Sequence, residues 1–155
     1  MKGIKDNDKG WRNIKRQFNP PKDTHGVVGI LASEADRDDE FDNVSIGTVH
    51  EFGLPERGIP ERSFIRATID AGVMKYRRLS KTLMQRELQV PHTASLKNAL
   101  RLLGEKLRAD IIAHINKGIE PENAPETIAR KGSSKPLIDT AQMKQSINYE
   151  IRDGK

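Results

Sequence analysis

The sequence contains no cysteine among its 155 residues, and only 5% of its residues are aromatic. Without a thiol the chain can form neither a disulfide nor a thiolate metal site, so its stability must come from packing or from neighbouring subunits. Hydrophobic residues make up 35% of the chain and charged residues 32%, a balance that predicts a thin core. The length fits one domain, residues 1–155, and no second independent domain is expected.

Long apolar runs are missing as well. Nowhere do roughly 18 uncharged apolar residues occur together, which is the length that a helix needs to cross a bilayer. Residues 1–16 are basic but lack the apolar stretch of a signal peptide. We therefore expect a soluble protein that has no membrane partner and is not exported by the usual route.

Motifs of catalysis and cofactor binding are also absent. The sequence has no Gly-x-Ser-x-Gly elbow, no phosphate-binding glycine-rich loop and no dinucleotide fingerprint, and no second histidine follows His50-Glu51 at zinc-motif spacing. Glu51 with His50, or Asp110 with His114, could still meet in space, but neighbouring ionisable residues of this kind usually form ordinary surface pairs. We expect no catalytic residue, no cofactor and no metal, and we interpret the chain as non-enzymatic.

The charge balance raises the question of nucleic-acid binding, since the net charge is +5 and phosphate contacts draw on clustered Lys and Arg. The best candidate DNA contacts are Lys75, Arg77, Arg78 and Lys81, which neighbouring helical turns would present together. They support an alternative interpretation as a basic, non-specific nucleic-acid-binding protein. Only Tyr76 lies among them as a platform for base stacking, and a solvated helix face is the ordinary interpretation of such a cluster.

The N-terminal third predicts one helix, one strand and one loop. Trp11 begins a short apolar stripe of helical spacing within an N-terminal arm, residues 1–22, and is expected to be a buried anchor. Residues 27–31 are apolar, β-branched and bounded by polar residues, which predicts a strand. Residues 34–42 carry six acidic residues against one Arg and are expected to form an exposed loop.

Two patterns remain possible for the next element. Residues 43–52 fit one or two helical turns, opened by Asp42 or Asn43 as a cap, but part of the segment also alternates as a strand would. Periodicity does not decide between them. Residues 53–62 contain two Gly and two Pro and predict a turn-rich connection.

Two long helices are predicted in the centre of the chain. Between residues 63 and 88, apolar residues recur at helical spacing, with Gly72 as a position where the helix could break or bend and Pro91 as its stop. Between residues 96 and 115, a Leu or Ile stands at every third or fourth position, and Gly118 is a suitable C-terminal stop.

The C-terminal part predicts a short helix at residues 125–131, a flexible linker at 131–136, a final helical turn up to Lys144 and an alternating strand at 146–151. Because one strand is not stable alone, strand 146–151 is expected to join strand 27–31 in a small antiparallel-type sheet. Together the elements predict an α+β fold in which this sheet packs against two long helices, with an N-terminal helix and mobile loops.

One segment resembles a known family. Residues 50–66 read HEFGLPERGIPERSFIR and resemble the neck and tail-completion proteins of long-tailed bacteriophages, also called virion morphogenesis or minor tail proteins. That family shows an EFG triplet, a short turn-rich loop and an IPxRxF motif at the start of a long helix. Ser63 stands where the family commonly has Pro.

Two weaker similarities follow in the same order. APETIARKG at residues 124–132 is similar to the TIxxKG segment of the family, and PLIDTAQMKQSI at residues 136–147 is similar to its PLIDTGxLxxSI segment, with Ala141 in place of the usual Gly. The resemblance therefore spans residues 44–151.

The resemblance implies a structural α+β subunit of the virion, assembled in the cytoplasm of the bacterial host. Its copies would form a ring, expected to be a hexamer, at the head-tail junction between the head-closure or connector protein and the tail terminator or tail tube. The ring would complete the neck or tail and let phage DNA pass. A head-closure or tail-terminator subunit is the alternative within the same class, since all of these are small ring-forming proteins.

The family segment also supplies the candidate loop and interface residues, which are Glu51, Phe52, Gly53, Pro60, Arg62 and Phe64. Our hypothesis is that Arg62 pairs with Glu51 to fix the loop. Phe52 and Phe64 would then anchor the loop in the core.

A ring around DNA makes the acidic loop a candidate channel lining, through Glu34, Asp36, Asp38, Asp39, Glu40 and Asp42. Like-charge repulsion would keep passing DNA from sticking to such a surface. Neutralising all six carboxylates is expected to slow DNA exit, measured as the rate of genome release from the particle. Unchanged exit rates and unchanged infectivity would contradict this role.

Overall fold

A computed structural model of the protein describes residues 11–12, 23–31, 42–89, 95–131 and 142–153. Several predictions fall on other positions. The N-terminal helix beyond Trp11 and Arg12, the acidic residues before Asp42 and the linker after Lys131 lie outside the described residues.

The sheet of the described residues has two antiparallel strands, β1 (His25–Ile30) and β2 (Ile147–Arg152), paired from His25 with Arg152 to Ile30 with Ile147. The predicted pairing of the first and last strands is therefore confirmed, with bounds that differ by one or two residues. β2 lies directly on a helix: a Cβ atom at Gly104 would come within 2.7 Å of the Tyr149 ring. A glycine is needed there because any larger residue would push the strand away.

The undecided element is a helix, α1 (Asn43–Phe52). Asp42 opens it with an extended backbone, and its carboxylate accepts a hydrogen bond of 2.6 Å from the Ser45 N–H, as an N-cap does. Gly53 ends it with φ at 74°, and a Cβ atom there would lie 2.8 Å from the Glu61 nitrogen. The turn after α1 therefore requires glycine on both conformational and steric grounds.

The two long helices are confirmed as α2 (Arg66–Gln89) and α3 (Leu96–Lys117). α2 continues through Gly72 without a break. The glycine leaves room for the Tyr76 ring, since a Cβ atom at position 72 would lie 2.4 Å from that ring. α3 stops at Gly118 as predicted, and the Gly118 N–H donates to the Ile115 carbonyl. Two short helices follow, α4 (Pro125–Lys131) and α5 (Gln142–Gln145).

The main core lies where α3, β2, α5 and the start of α2 meet. Its buried members are Phe64, Ile111, Ile115, Ile119, Met143 and Ile147. Ile46 of α1 and Val28 of β1 pack against this cluster from the side. The result is an α+β fold, and none of its described helices combines the length and the apolar composition that a bilayer crossing needs.

The prediction that Trp11 is a buried anchor is wrong, since this residue is 54% exposed. Helical spacing indicates which side chains share a face, but it does not indicate whether that face meets another element.

Phe64 is fully buried and Phe52 is 59% exposed, so the same substitution at the two positions compares a core residue with a surface residue. Phe64→Ala is expected to lower the free energy of unfolding by about 3–5 kcal/mol, because it leaves a cavity in the core. Phe52→Ala is expected to lower it by about 1 kcal/mol or less, because it removes only a surface contact. Urea unfolding followed by circular dichroism measures both, and equal losses would contradict this assignment of the core.

Candidate functional site

The site is the connection between α1 and α2, which contains the family segment. Leu54 and Ile59 exchange two backbone hydrogen bonds of 2.8 and 3.1 Å, closing a turn that contains a single 3-10 turn at Pro55–Arg57. At its far end, the Arg62 N–H donates to the His50 carbonyl over 2.7 Å. Backbone bonds therefore close the loop on itself and tie its far end to the last turn of α1.

The Glu51 carboxylate is the centre of this connection. Its Oε2 atom accepts hydrogen bonds from the N–H groups of Phe64 and Ile65, at 2.8 and 2.9 Å. Its Oε1 atom accepts from the Arg66 N–H at 2.9 Å and from the Ser63 hydroxyl at 2.8 Å. These amides lie in and just before the first turn of α2, where an α-helix offers no backbone acceptor, so Glu51 caps α2 from the end of α1.

The electrostatics of the site keep Glu51 ionised. Burial alone would raise its pKa, since the side chain is only 7% exposed. The hydrogen bonds from the backbone of Ile65 and Arg66, from the Ser63 hydroxyl and from the Phe64 backbone outweigh burial and lower the pKa of Glu51 below 4.5. A carboxylate with both oxygens occupied and a lowered pKa is a poor proton acceptor, so it acts here as a structural anion.

Arg66 forms the outer layer of the site. Its Nε atom lies 3.1 Å from Glu51 Oε1, and its Nη2 atom donates to the Glu51 carbonyl at 2.8 Å and to Glu61 Oε1 at 2.7 Å. The guanidinium carbon sits 4.7 Å from the centre of the exposed Phe52 ring. The surface of the site is therefore an aromatic ring, a cation and a carboxylate held in fixed relative positions.

The hypothesis that Arg62 pairs with Glu51 is wrong. Arg62 is buried and reaches the other way, where Nε donates to the Pro121 carbonyl at 2.7 Å and Nη2 to the Glu122 carbonyl at 2.9 Å. Arg66, one helical turn later, takes the place next to Glu51. Arg62 instead ties the loop to the segment that follows α3.

The two phenylalanines also separate. Phe64 is in the core as predicted, whereas the prediction that Phe52 is a second core anchor is wrong. Phe52 is the last residue of α1, and Arg66 holds its ring at the surface. Pro60 is exposed in the loop.

A shallow apolar groove of about 130 Å³ lies beside the site, between α1, β1 and the start of α2. It is lined by Ile30, Val44, Gly47, Thr48, Glu51, Phe52, Phe64 and Ile65. Phe52 and Val44 are its most exposed apolar members. The groove and the Phe52 ring thus form one continuous apolar surface.

The candidate DNA contacts are divided by the structure. Lys75 is bound at the seam between the long helices, where its Nζ atom lies 2.6 Å from Asp110. Asp110 also accepts from Lys106 at 2.6 Å and from the Tyr76 hydroxyl at 3.0 Å. Burial and the Asp110 hydrogen bond raise the pKa of Tyr76 to about 12. The remaining three, Arg77, Arg78 and Lys81, are exposed.

The other candidate groups have structural partners. His114 Nδ1 shares a hydrogen bond of 2.7 Å with the Thr68 hydroxyl, while Asp110 is occupied by the cations at the seam. Of the six candidate channel carboxylates, only Asp42 belongs to the described residues, and it caps α1. Among the described residues, no group of three or more His, Asp or Glu side chains is placed to hold a metal ion.

Comparisons with family models, with curated proteins and with solved structures gave no match.

Sequence reasoning did not find the capping role of Glu51 or the role of Arg66. The useful signal is a glutamate in the last turn of one helix, followed by a short loop and a second helix whose local cap, Ser63, accepts only from the Ala67 N–H among the first backbone donors. Spacing alone does not indicate which cation or amide such a carboxylate meets.

Glu51→Gln is expected to lower the free energy of unfolding by about 3 kcal/mol, because the new amide group places donors against backbone donors and removes the buried charge. Glu61→Gln is the matched control. Glu61 contacts the same arginine but its side chain is 55% exposed, so a loss of less than about 1 kcal/mol is expected.

The effect of Glu51→Gln should also depend on pH. A carboxylate whose folded-state pKa is lowered stabilises the fold above its unfolded-state pKa, and this stabilisation is lost as the pH falls through the folded-state value. The stability difference between wild type and Glu51→Gln should therefore be full above about pH 4.5 and shrink below it. A difference independent of pH, measured by urea unfolding from pH 7 to pH 3, would contradict the capping role.

Proposed function

We propose that the protein is a structural, non-enzymatic subunit of a bacteriophage virion that forms a ring at the head-tail junction. The ring completes the neck or tail, joins the head-closure or connector protein to the tail terminator or tail tube, and lets DNA pass. The proposal rests on the resemblance of residues 50–66 to neck and tail-completion proteins.

One structural observation supports the use of that resemblance. The residues that carry it form a single bound unit, and most have a distinct physical role in it. Glu51 caps α2, Gly53 makes the turn that no other residue fits, and Phe64 fills the core. Arg62 ties the loop to Pro121 and Glu122. The residues that match the family motif therefore belong to one local structure and are not scattered over the surface.

The surfaces of the described residues suit a protein completed by its neighbours. With only two strands in the described sheet, each strand has an edge without a strand partner there, and such edges are usually covered. Large apolar side chains are also exposed, namely Val44, Phe52, Val73, Met74, Leu88 and Leu102. Ring closure is one way in which a subunit covers both features.

Particles made without this protein test the proposed position. Filled heads and finished tails that remain unjoined, seen by electron microscopy, are the expected result. Empty heads would indicate head closure instead, and overlong tails would indicate a tail terminator. Either result would contradict a neck or tail-completion role.

Complementation of the same deletion tests the apolar surface around Phe52. Phe52→Asp is expected to leave heads and tails unjoined, because it places a charge in a subunit contact. Phe52→Leu keeps the apolar surface and is expected to restore joining. Circular dichroism of both purified variants checks that they fold. Full complementation by Phe52→Asp would exclude this surface as a contact.

A further inference from the structure

The outward face of α2 carries cations that the fold does not use. At 100° per residue, one stripe of this helix contains Met74, Arg77, Arg78, Lys81, Gln85 and Leu88, and all six are exposed. The opposite stripe contains Tyr76 and Leu83, which are buried. The stripe of cations therefore points away from the body of the protein.

These charges have no acidic partner nearby in the described structure. Within the described part of the chain, Arg77, Arg78 and Lys81 form neither an ion pair nor a side-chain hydrogen bond. Glu87 is the one acidic residue between residues 75 and 89, and it lies on the other side of α2, where it accepts from the Ser95 N–H. Asp70 is the nearest acid along the outward face, about 10 Å before Arg77 at 1.5 Å per residue.

The spacing of the three cations matches a duplex backbone. Residues 77–81 span about 6 Å of helix axis. Each strand of duplex DNA carries one negative charge per about 3.4 Å of its axis, so that length faces about two phosphates of one strand, and the long side chains of the outer cations extend the reach to a third. Two of the three cations are arginines, whose planar guanidinium groups bind phosphate through two parallel hydrogen bonds.

The surroundings favour a duplex over a single strand. Binding of a single strand relies on exposed aromatic rings on which bases stack. Tyr76, the one aromatic residue of α2, is buried with its hydroxyl on Asp110. The face therefore offers charge without a stacking platform.

We propose that the outward face of α2 binds the phosphate backbone of double-stranded DNA without sequence preference, through Arg77, Arg78 and Lys81. This is a property of the single subunit and does not rest on the ring. Contact with the backbone alone also explains why the face needs no groove or shaped pocket.

The test compares two triple variants of the full chain. The first is Arg77→Gln, Arg78→Gln and Lys81→Gln. The control is Arg57→Gln, Arg101→Gln and Lys117→Gln, which lowers the net charge of +5 by the same three units at exposed positions elsewhere. Fluorescence anisotropy measures binding to a labelled duplex of unrelated sequence as the salt concentration is raised, and circular dichroism checks folding.

Three phosphate contacts give a slope of about −2.7 for the logarithm of affinity against the logarithm of salt, or about a 40-fold loss between 50 and 200 mM. The first triple variant is expected to lose this slope. The control is expected to keep it. Wild-type binding by the first variant, or equal losses in both variants, would overturn the proposal.

Two further outcomes would also overturn it. Tighter binding to a single strand than to the duplex would contradict the assignment of the ligand. Loss of self-association in the first variant, with unchanged DNA binding, would show that this face meets carboxylates of a second copy. The deletion experiment on head-tail joining tests the proposed function alone. Its outcome does not change the result of the DNA-binding test.

Discussion

The carboxylate of Glu51 is the contact on which the arrangement of the helices depends. It sits at the last turn of α1 and binds three amides in and just before the first turn of α2, so it fixes the direction in which the second helix leaves the loop. That direction places Phe64 in the core and brings Tyr76 and Lys75 to Asp110 on α3. Since α2 begins with unpaired donors and a positive dipole end, a buried anion stabilises it more than a neutral cap does. One side chain therefore links the loop, the core and the seam between the long helices.

Local patterns predicted the elements well because helices and strands follow from neighbouring residues. The stripe of Leu and Ile between residues 96 and 115 needs only its own periodicity to indicate α3, and Gly118 ends it for conformational reasons. Residues 43–52 were ambiguous because their alternation fits both periods. Two contacts that periodicity does not report decide the outcome: Asp42, just before the stretch, caps the first turn, and Ile46 packs against the core from one side of the helix. Local propensity is compatible with both a helix and a strand, and the N-cap together with tertiary packing favours the helix.

Contacts between elements were predicted less well, since they depend on which of several similar residues faces inward. Arg62 and Arg66 stand one helical turn apart and are chemically identical, but only Arg66 reaches Glu51, while Arg62 binds carbonyls beyond α3. Phe52 and Phe64 have the same side chain, but one is the last residue of a helix at the surface and the other precedes a helix that enters the core. The two members of each pair are the same type of residue, so the sequence pattern does not show which one faces inward. Only the path of the backbone distinguishes them.

Five of the six cations of α2 fall into two groups according to what the fold requires of them. Arg66 and Lys75 each have a carboxylate partner, so their replacement would disturb the start of the helix or its seam with α3. Arg77, Arg78 and Lys81 lie near its middle on the opposite side from the buried stripe, and within the described residues their side chains form no ion pair or hydrogen bond. Exposed residues of this kind change stability little when they are replaced. The polyanion binding that we propose for the exposed cations and the folding of the chain would therefore depend on different residues of one helix, so the two can be measured separately. The buried anion at one end of α2 organises the fold, whereas Arg77, Arg78 and Lys81 on its outward side remain exposed.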